Sequence, residues 1–332
     1  PPNIYALKMD VASFFDSGAF NVSFFSEGID AELNVDKVSV GKKLFEDPVL
    51  SSNNRMACIS CHVPERGFSD GLTKSKSFTG GNLRRNTPTL LYAGLQQNQF
   101  YDMRARFLED QVRNVIESRD EIHSSLGDAS QKLSQDSGYM QLFRAAFKSQ
   151  QDAVSEWQIQ GALSSYIRSL QPFNSKFDRF WRGKEELSKD ERNGFNLFLG
   201  KARCGTCHFI PLFNGTRPPL FDNTEGEIIG VPGDKKATAK DRDLGRYEVH
   251  QLPEFKGAFK TPTLRNVEVT APYMHNGLFD SLDEVINFYD AGGGAGMGLD
   301  IPNQTLPSDS LHLSTSEKKA LIAFLKTLTD NQ

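Results

Sequence analysis

The chain has 332 residues, a formal net charge of −4 at pH 7 and 38% hydrophobic residues. This length suffices for about two domains of roughly 150 residues each, with sizeable buried cores. The small negative charge without a basic run argues against nucleic acid or an anionic membrane as partner, and no apolar stretch approaches the ~20 residues of a membrane-spanning helix.

Few periodic signals occur in residues 1–35, and we expect an N-terminal arm there that packs on another part of the protein. The first predicted helix covers about 36–46, because Val38, Leu44 and Phe45 fall on one side of it. This helix leads into the first of two copies of one pentapeptide.

The pentapeptide C-x-x-C-H occurs as Cys58-Ile-Ser-Cys-His62 and again as Cys204-Gly-Thr-Cys-His208. It is the attachment signature of c-type haem, in which two thiols add to the vinyl groups of one porphyrin and the His ligates the iron. A thiol redox motif would need a βαβ context, and a zinc site would need the two Cys pairs much closer together. The predicted haem-binding residues are Cys58, Cys61, His62, Cys204, Cys207 and His208.

Two covalently attached haem c groups are therefore predicted. All four Cys of the chain lie in the two motifs, which leaves none for a disulfide. Because covalent haem attachment implies export, we expect a periplasmic or other extracytoplasmic location.

The parts around the two motifs repeat in the same order. Ser188 and Glu191 form a predicted capping box at the start of a second lead-in helix. The amphipathic segments 162–170 and 320–328 match in character and follow the first and second motif at similar distances. Two unrelated surface helices are the alternative, but the order of parts favours an internal duplication.

The predicted fold class is accordingly mainly α, with two cytochrome c-like haem domains related by internal duplication and joined to long loops. Breaker and polar segments near 172–188 indicate the boundary, so we assign 36–178 to the first domain and 179–332 to the second. The glycine-rich residues 214–257 and 290–310 are predicted as loops, which could be functional or plain insertions.

Two haems alone are compatible with simple electron transfer, so the chemistry depends on whether one iron keeps an open face. Between His62 and His123 the chain has no other His, and Met103 is the main candidate for a further ligand there. This favours an open or water-bound first iron that can take peroxide. Cleavage of the O–O bond then needs a base that moves a proton between the two oxygens.

Five further segments accompany the haem motifs: Pro64–Gly71, Arg85–Leu90, Phe100–Arg104, Thr261–Asn266 and Ala271–Gly277. Together they resemble the bacterial dihaem cytochrome c peroxidases and the related MauG group over about 36–330. The resemblance implies that peroxide reacts at the His62 haem, which is the peroxidatic one. Electrons would reach it through the second haem from a small cytochrome c or a cupredoxin.

The resemblance also implies roles for single residues. Gln111 matches the distal glutamine, Glu121 the catalytic acid/base ten positions later, and Tyr101 the place of the inter-haem Trp. A calcium ion between the haems would be held by Asn86, Thr270 and Pro272. From the residues alone, a solvated charge is the favoured interpretation of Glu121, and the calcium residues form simply a turn with Pro, so both roles depend on the resemblance.

At the second haem, Tyr289 stands where the peroxidases place a Met ligand, and in this it resembles the MauG group. A phenolate ligand lowers the potential of an iron, whereas Met raises it. Met274 and Met297 are rival ligands, and a merely buried Tyr289 is the structural alternative.

Departures from the family pattern shape the choice of function. The distal His that reductively activated peroxidases carry soon after Gly71 is missing, so the first haem is expected to be open without activation. Ala202 occupies the place of the surface Trp through which MauG oxidises its protein substrate. Trp157 and Trp181 are predicted to serve helix packing.

Three functions remain at this point. The first is a dihaem peroxidase that reduces hydrogen peroxide to water. The second is a MauG-like oxidase that uses peroxide to modify residues of a partner protein, and the third is a non-catalytic dihaem electron carrier with two six-coordinate irons. Dimerisation is common in the peroxidases, so a homodimer is a further possibility that no residue decides.

Overall fold

The computed structural model describes residues 34–218, 221 and 223–331, so the predicted arm at 1–35 lies almost wholly outside the described residues. Within this part, eleven α-helices and one two-stranded sheet are present. The helices are α1 Val35–Glu46, α2 Leu108–Glu117, α3 Leu126–Gln135, α4 Ser137–Phe147, α5 Glu156–Ser169, α6 Lys176–Trp181, α7 Lys189–Leu199, α8 Tyr247–His250, α9 Leu282–Asp290, α10 Gly293–Gly296 and α11 Thr315–Lys326. The strands are β1 Gly226–Glu227 and β2 Phe259–Lys260. The prediction of a mainly α fold is confirmed.

Two helix pairs frame the two haem motifs, α1 with α5 and α7 with α11. In the first pair, the backbone of α5 lies so close to Gly41 that a side chain there would overlap the carbonyl oxygen of Ala162. In the second pair, Gly194 meets the carbonyl oxygen of Ala320 in the same way. Glycine is needed at both crossings because only its lack of a Cβ allows this approach.

Local signals fix where these helices begin. The predicted capping box of α7 forms, since the Ser188 backbone N–H donates to Glu191 and the Glu191 N–H donates to the Ser188 hydroxyl at 3.2 Å. An equivalent box of Ser314 and Glu317 begins α11. Such boxes satisfy N–H groups that the first helical turn leaves without partners.

Each half of the chain has its own apolar cluster. The first is built on α1 to α5 and includes Leu44 and Phe45, which are almost completely buried. The second is built on α6, α7, α9 and α11 around Phe324. Phe177 of α6 belongs to the second cluster, although α6 spans the position where the sequence suggested a boundary.

The loops of the second half are mostly irregular, as predicted, and β1 pairs antiparallel to β2 with Gly226 opposite Lys260. Two short helices interrupt these predicted loops, since Tyr247–His250 forms α8 and Gly293–Gly296 forms α10. The unexpected helix α10 is held by a contact with a distant segment. Its backbone packs against the 229–230 segment, where a Cβ on Gly294 would overlap the carbonyl oxygen of Gly230. Among the described residues, no helix is long and apolar enough to cross a membrane.

Candidate active site

The first C-x-x-C-H motif forms a tight turn over Cys58–Ser60, closed by a 3.0 Å hydrogen bond from the His62 N–H to the Cys58 carbonyl oxygen. His62 Nδ1 lies 2.9 Å from the carbonyl oxygen of Phe68. Because a carbonyl oxygen only accepts, Nδ1 carries the proton and Nε2 keeps its lone pair. Burial lowers the pKa of His62, so the ring stays neutral as a metal ligand requires.

The second motif repeats this arrangement. Its turn over Cys204–Thr206 is closed by a 3.0 Å bond from the His208 N–H to the Cys204 carbonyl oxygen. His208 Nδ1 lies 3.0 Å from the carbonyl oxygen of Phe213 and 3.1 Å from that of Pro262, and burial lowers the pKa of His208 to about 4. A backbone acceptor on one ring nitrogen is the usual way in which proteins orient a metal-bound imidazole.

The four thiols suit thioether attachment. Burial raises the pKa of Cys58 and Cys204 to about 12 and that of Cys61 and Cys207 to about 11, so all four are neutral. None is in a disulfide. At each motif two free thiols flank a tight turn, and a neutral, oriented His follows the second thiol, so the residues fit a haem c at each motif.

A cavity of about 540 Å³ opens beside the first motif and is lined by Cys58, Cys61 and His62. Its volume lies in the range of cofactor sites. Gln111 and Glu121 line the same cavity, so the structure brings both predicted distal residues to the first motif.

Local structure explains why Gln111 and Glu121 line one cavity although they are ten positions apart in the sequence. Gln111 lies in α2, which ends at Glu117, and Glu121 follows in the turn after the helix. Burial raises the pKa of Glu121, and a hydrogen bond with Ser118 offsets this only in part. The charge of Glu121 in turn contributes to the raised pKa of both Cys58 and Cys61, although burial is the larger cause.

The candidates for a further iron ligand at this cavity are few. Of the described residues that line it, His62 is the single histidine. Met103, the candidate that the sequence suggested, is absent from the lining, and its methyl group packs against Gly226 of β1. Met56, two residues before Cys58, is the one thioether among the described lining residues, and the sequence pattern did not single it out.

Tyr289 at the end of α9 lies near the second motif. Burial raises the pKa of this phenol, and the charges of Cys204 and Cys207 add to the effect. The rival Met274 packs in the same apolar cluster as Tyr289, whereas Met297 is 41% exposed. Tyr289 and Met274 thus lie in one apolar cluster, and Tyr289 is close enough to Cys204 and Cys207 for their ionisation to affect its pKa.

The predicted calcium residues lie where the two halves meet. Asn86 is buried, its N–H donates to the His275 carbonyl oxygen at 2.8 Å, and its Nδ2 donates to the Leu72 carbonyl oxygen at 2.8 Å. These bonds place Asn86 beside the segment that carries Thr270 and Pro272. Asn86 Oδ1 has only a 3.5 Å contact with the Tyr101 hydroxyl, which leaves an oxygen donor for a hard cation.

A dense ionic network surrounds Tyr101 at this junction. Arg85 donates to both oxygens of Asp243 at 2.7 and 2.9 Å and to Asp102 at 2.6 Å. Arg84 pairs with Asp243 at 2.8 Å. The sequence patterns single out the segments that contain Arg85 and Asp102 but miss the pairing with Asp243, because about 160 residues separate Arg85 from Asp243 and no local pattern links them.

A family model described as di-haem cytochrome c peroxidase matches residues 35–186. The chain is 32% identical over 316 residues to cytochrome-c peroxidase IdrP2 of Denitromonas iodatirespirans, covering 89% of this chain and 82% of that protein. It is 34% identical over 297 residues to the methylamine utilization protein MauG of Methylorubrum extorquens, covering 89% and 79%. The solved structure of a MauG-like protein associated with microbial copper homeostasis superposes with a TM-score of 0.77 at 29% identity, and 89% of each chain is covered.

Proposed function

Because this chain belongs to the di-haem cytochrome c peroxidase family, which its MauG relatives share, we propose that it reduces hydrogen peroxide to water with electrons from a small redox protein. Membership implies a peroxidase-type oxidoreductase with two haem c groups. The observation that carries the finer proposal is that Glu121, with its raised pKa, and Gln111 line the cavity of Cys58, Cys61 and His62.

The haem, when bound through Cys58, Cys61 and His62, supplies an iron that takes peroxide and exchanges electrons with it. Glu121 accepts the proton from the peroxide oxygen nearer the iron and returns it to the departing oxygen. Gln111 holds the peroxide by hydrogen bonding. Each turnover consumes two electrons and two protons and releases two water molecules. A carboxylate whose pKa is raised towards the working pH performs both halves of this proton transfer better than an ordinary Glu.

The second site is proposed to handle electrons. His208 and Tyr289 would hold its iron, and Tyr101 would relay charge between the two haems. A calcium ion would be held at the same junction by oxygen atoms of Asn86, Thr270 and Pro272. The contacts of Tyr101 with Asn86 and of Asn86 with His275 support this arrangement.

An internal duplication is proposed for the two halves, which would make them two haem domains. The matching glycine crossings at Gly41 and Gly194 and the matching His62 and His208 hydrogen bonds support it. A periplasmic location is proposed from the covalent attachment of haem. A homodimer is proposed only because dimers are common among the peroxidases of this family.

A MauG-like oxidase is the second candidate, and Tyr289 favours it. A phenolate ligand would stabilise a highly oxidised iron, as an enzyme that stores oxidising equivalents for a partner protein needs. Ala202, in the place of the family's surface Trp, is buried and cannot pass charge to a partner. This counts against the best-known form of that activity.

Spectroscopy of the ferric protein before and after one equivalent of peroxide separates the candidates. A high-spin haem that turns over rapidly with reduced cytochrome c supports the peroxidase. A long-lived doubly oxidised state that decays only when a partner protein is added supports the oxidase. Two low-spin haems that do not react with peroxide would support the non-catalytic electron carrier. Met56 would then be a candidate for the sixth ligand of the first iron.

A further inference from the structure

Lys260 is a partly buried cation on the wall of the first haem cavity. It ends β2, and its backbone N–H donates to the carbonyl oxygen of Tyr101 at 2.7 Å. Its Nζ donates to Gln96 Oε1 at 3.1 Å and to the carbonyl oxygen of Asn98 at 3.4 Å. Both acceptors are neutral, so the charge of the ammonium group is not compensated by them.

The other cations that line this cavity have different surroundings. Arg84, Arg85 and Arg104 are each ion-paired, with Asp243, Asp102 or Glu248 as partners. Lys76 is exposed, where water solvates its charge. Among the described residues, no carboxylate lies within ion-pair distance of Lys260, and burial lowers its pKa to about 8 because Asp102 offsets the desolvation only in part.

An ammonium group that is partly withdrawn from water and has no anionic partner is unfavourable, and a carboxylate beside it would stabilise it. The cavity in front of Lys260 is the one that Cys58, Cys61 and His62 line. A porphyrin attached there brings two propionate carboxylates into the cavity. A carboxylate and an ammonium group form a strong charge-assisted hydrogen bond. A propionate that pairs with Lys260 would therefore compensate the charge of Lys260 and hold the porphyrin in place.

We propose that Lys260 binds a propionate of the first haem and acts as a positioning residue, an inference that rests on the proposed haem site at His62. Lys260 comes from the second half of the chain, whereas the motif comes from the first. The pair would therefore fasten the second half to the prosthetic group of the first. Its backbone bond to Tyr101 would hold the proposed relay residue against the same edge of the porphyrin.

A positive charge beside a haem disfavours the ferric state, so Lys260 should raise the reduction potential of the first haem. Lys260→Met and Lys260→Gln remove the charge, and Lys260→Arg keeps it. Lys76→Met is the matched control, because Lys76 lines the same cavity and also donates to an amide oxygen, that of Asn82, at 3.0 Å. All variants should be prepared as the haem-loaded protein, with haem counted by the pyridine haemochrome method.

We expect two haems in wild type and in all variants. In Lys260→Met and Lys260→Gln the propionate bending modes of one haem in the resonance Raman spectrum should shift, and its midpoint potential should fall. Lys260→Arg and Lys76→Met should keep the wild-type bands, and Lys76→Met the wild-type potential. Unchanged propionate modes and potential in both neutral variants would overturn the assignment while the proposed function stands. A wild-type protein that attaches one haem only, with no haem on the peptide that carries Cys58 and Cys61, would overturn the first haem site and this inference with it.

Discussion

The Phe78 backbone N–H donates a 2.8 Å hydrogen bond to the carbonyl oxygen of Asp120, the residue before Glu121. The side chain of Asp120 strengthens this contact, since its Oδ1 accepts from Ser77 Oγ at 3.2 Å and from Thr79 Oγ1 at 2.9 Å. The loop around Phe78 follows Gly71, soon after which the resemblance to the activated peroxidases leads us to expect the distal His that this chain lacks. Here the loop is fastened to the turn that holds the proposed acid/base.

Asp120→Ala should loosen this loop without unfolding the protein. The substitution removes two side-chain hydrogen bonds, together about 1–2 kcal/mol, so local opening should become about tenfold more frequent. Amide hydrogen exchange measured over 75–81 reports this directly, and peroxide turnover should fall with it because Glu121 is held less firmly. Asp309→Ala, at an exposed position in the 306–312 loop, is the control. Amide exchange at wild-type rates in Asp120→Ala would show that the backbone hydrogen bond from Phe78 to Asp120 holds the loop without the side-chain bonds.

Glu121→Gln should abolish most peroxide turnover and leave both haem spectra intact. An amide of the same size cannot take up and return the proton, and loss of general acid/base catalysis lowers rates by about 10²–10⁴-fold. The measurement is steady-state turnover with reduced cytochrome c, together with the ferric absorption spectrum. Glu117→Gln is the matched control, because Glu117 ends α2 and pairs on the surface with Arg113 at 3.1 Å. Turnover within threefold of wild type would remove Glu121 from the mechanism.

The same residue sets a pH dependence. Burial raises the pKa of Glu121 above its ordinary value, so its carboxyl becomes protonated at a higher pH than an exposed Glu would. The base form is lost as pH falls through this raised pKa, and peroxide turnover should fall with it. This acidic limb should begin at a higher pH than 4.5, the ordinary value, and should vanish in Glu121→Gln. A limb that persists unchanged in the variant would belong to another group.

Tyr289→Met should raise the midpoint potential of the second haem, and Tyr289→Phe should leave its iron without the phenol oxygen. A thioether favours the ferrous state, whereas a phenolate favours the ferric state. Spectroelectrochemistry and the ferric ligand-field bands report both changes. Tyr273→Phe is the matched control, since Tyr273 packs in the same apolar cluster and its hydroxyl donates to the Val267 carbonyl oxygen at 2.9 Å. Wild-type bands and potential in both Tyr289 variants would mean that Tyr289 serves only packing.

How far the sequence predicts this molecule depends on the range of the signal. The haem motifs and the capping box at Ser188 are local patterns, and the structure contains the turns and the helix start that they predict. The 293–296 helix was missed because its glycines meet the backbone of residue 230, a contact that no local pattern encodes. Lys260 and the Arg85 network escaped for the same reason. The residues that surround Lys260 and Arg85 come from segments far away in the chain. The neighbouring sequence therefore predicts neither the burial nor the partners of these two side chains.

A buried ion pair joins α6 to the segment after the second strand. Arg265 is 1% exposed, and its guanidinium donates to the two oxygens of Asp178 at 2.9 and 2.7 Å. The same group lies 5.0 Å from the ring of Tyr92, which comes from the first half of the chain. Burial alone would raise the pKa of Asp178, but the hydrogen bonds and charge of Arg265 outweigh it and hold that pKa below its ordinary value.

Asp178→Asn should therefore destabilise the protein by about 3–5 kcal/mol, because Arg265 would be left as a buried charge without its partner. Asp178→Asn with Arg265→Met removes both charges and should recover part of this loss. In wild type, the contribution of the pair is complete above the ordinary pKa of Asp, 3.8, and disappears as pH falls through the depressed pKa of the folded state. Urea unfolding of the haem-loaded proteins at pH 7 and at acid pH measures both effects. The single variant should lose this acid sensitivity, and a double variant no more stable than the single one would show that the buried charge of Arg265 is not the cause.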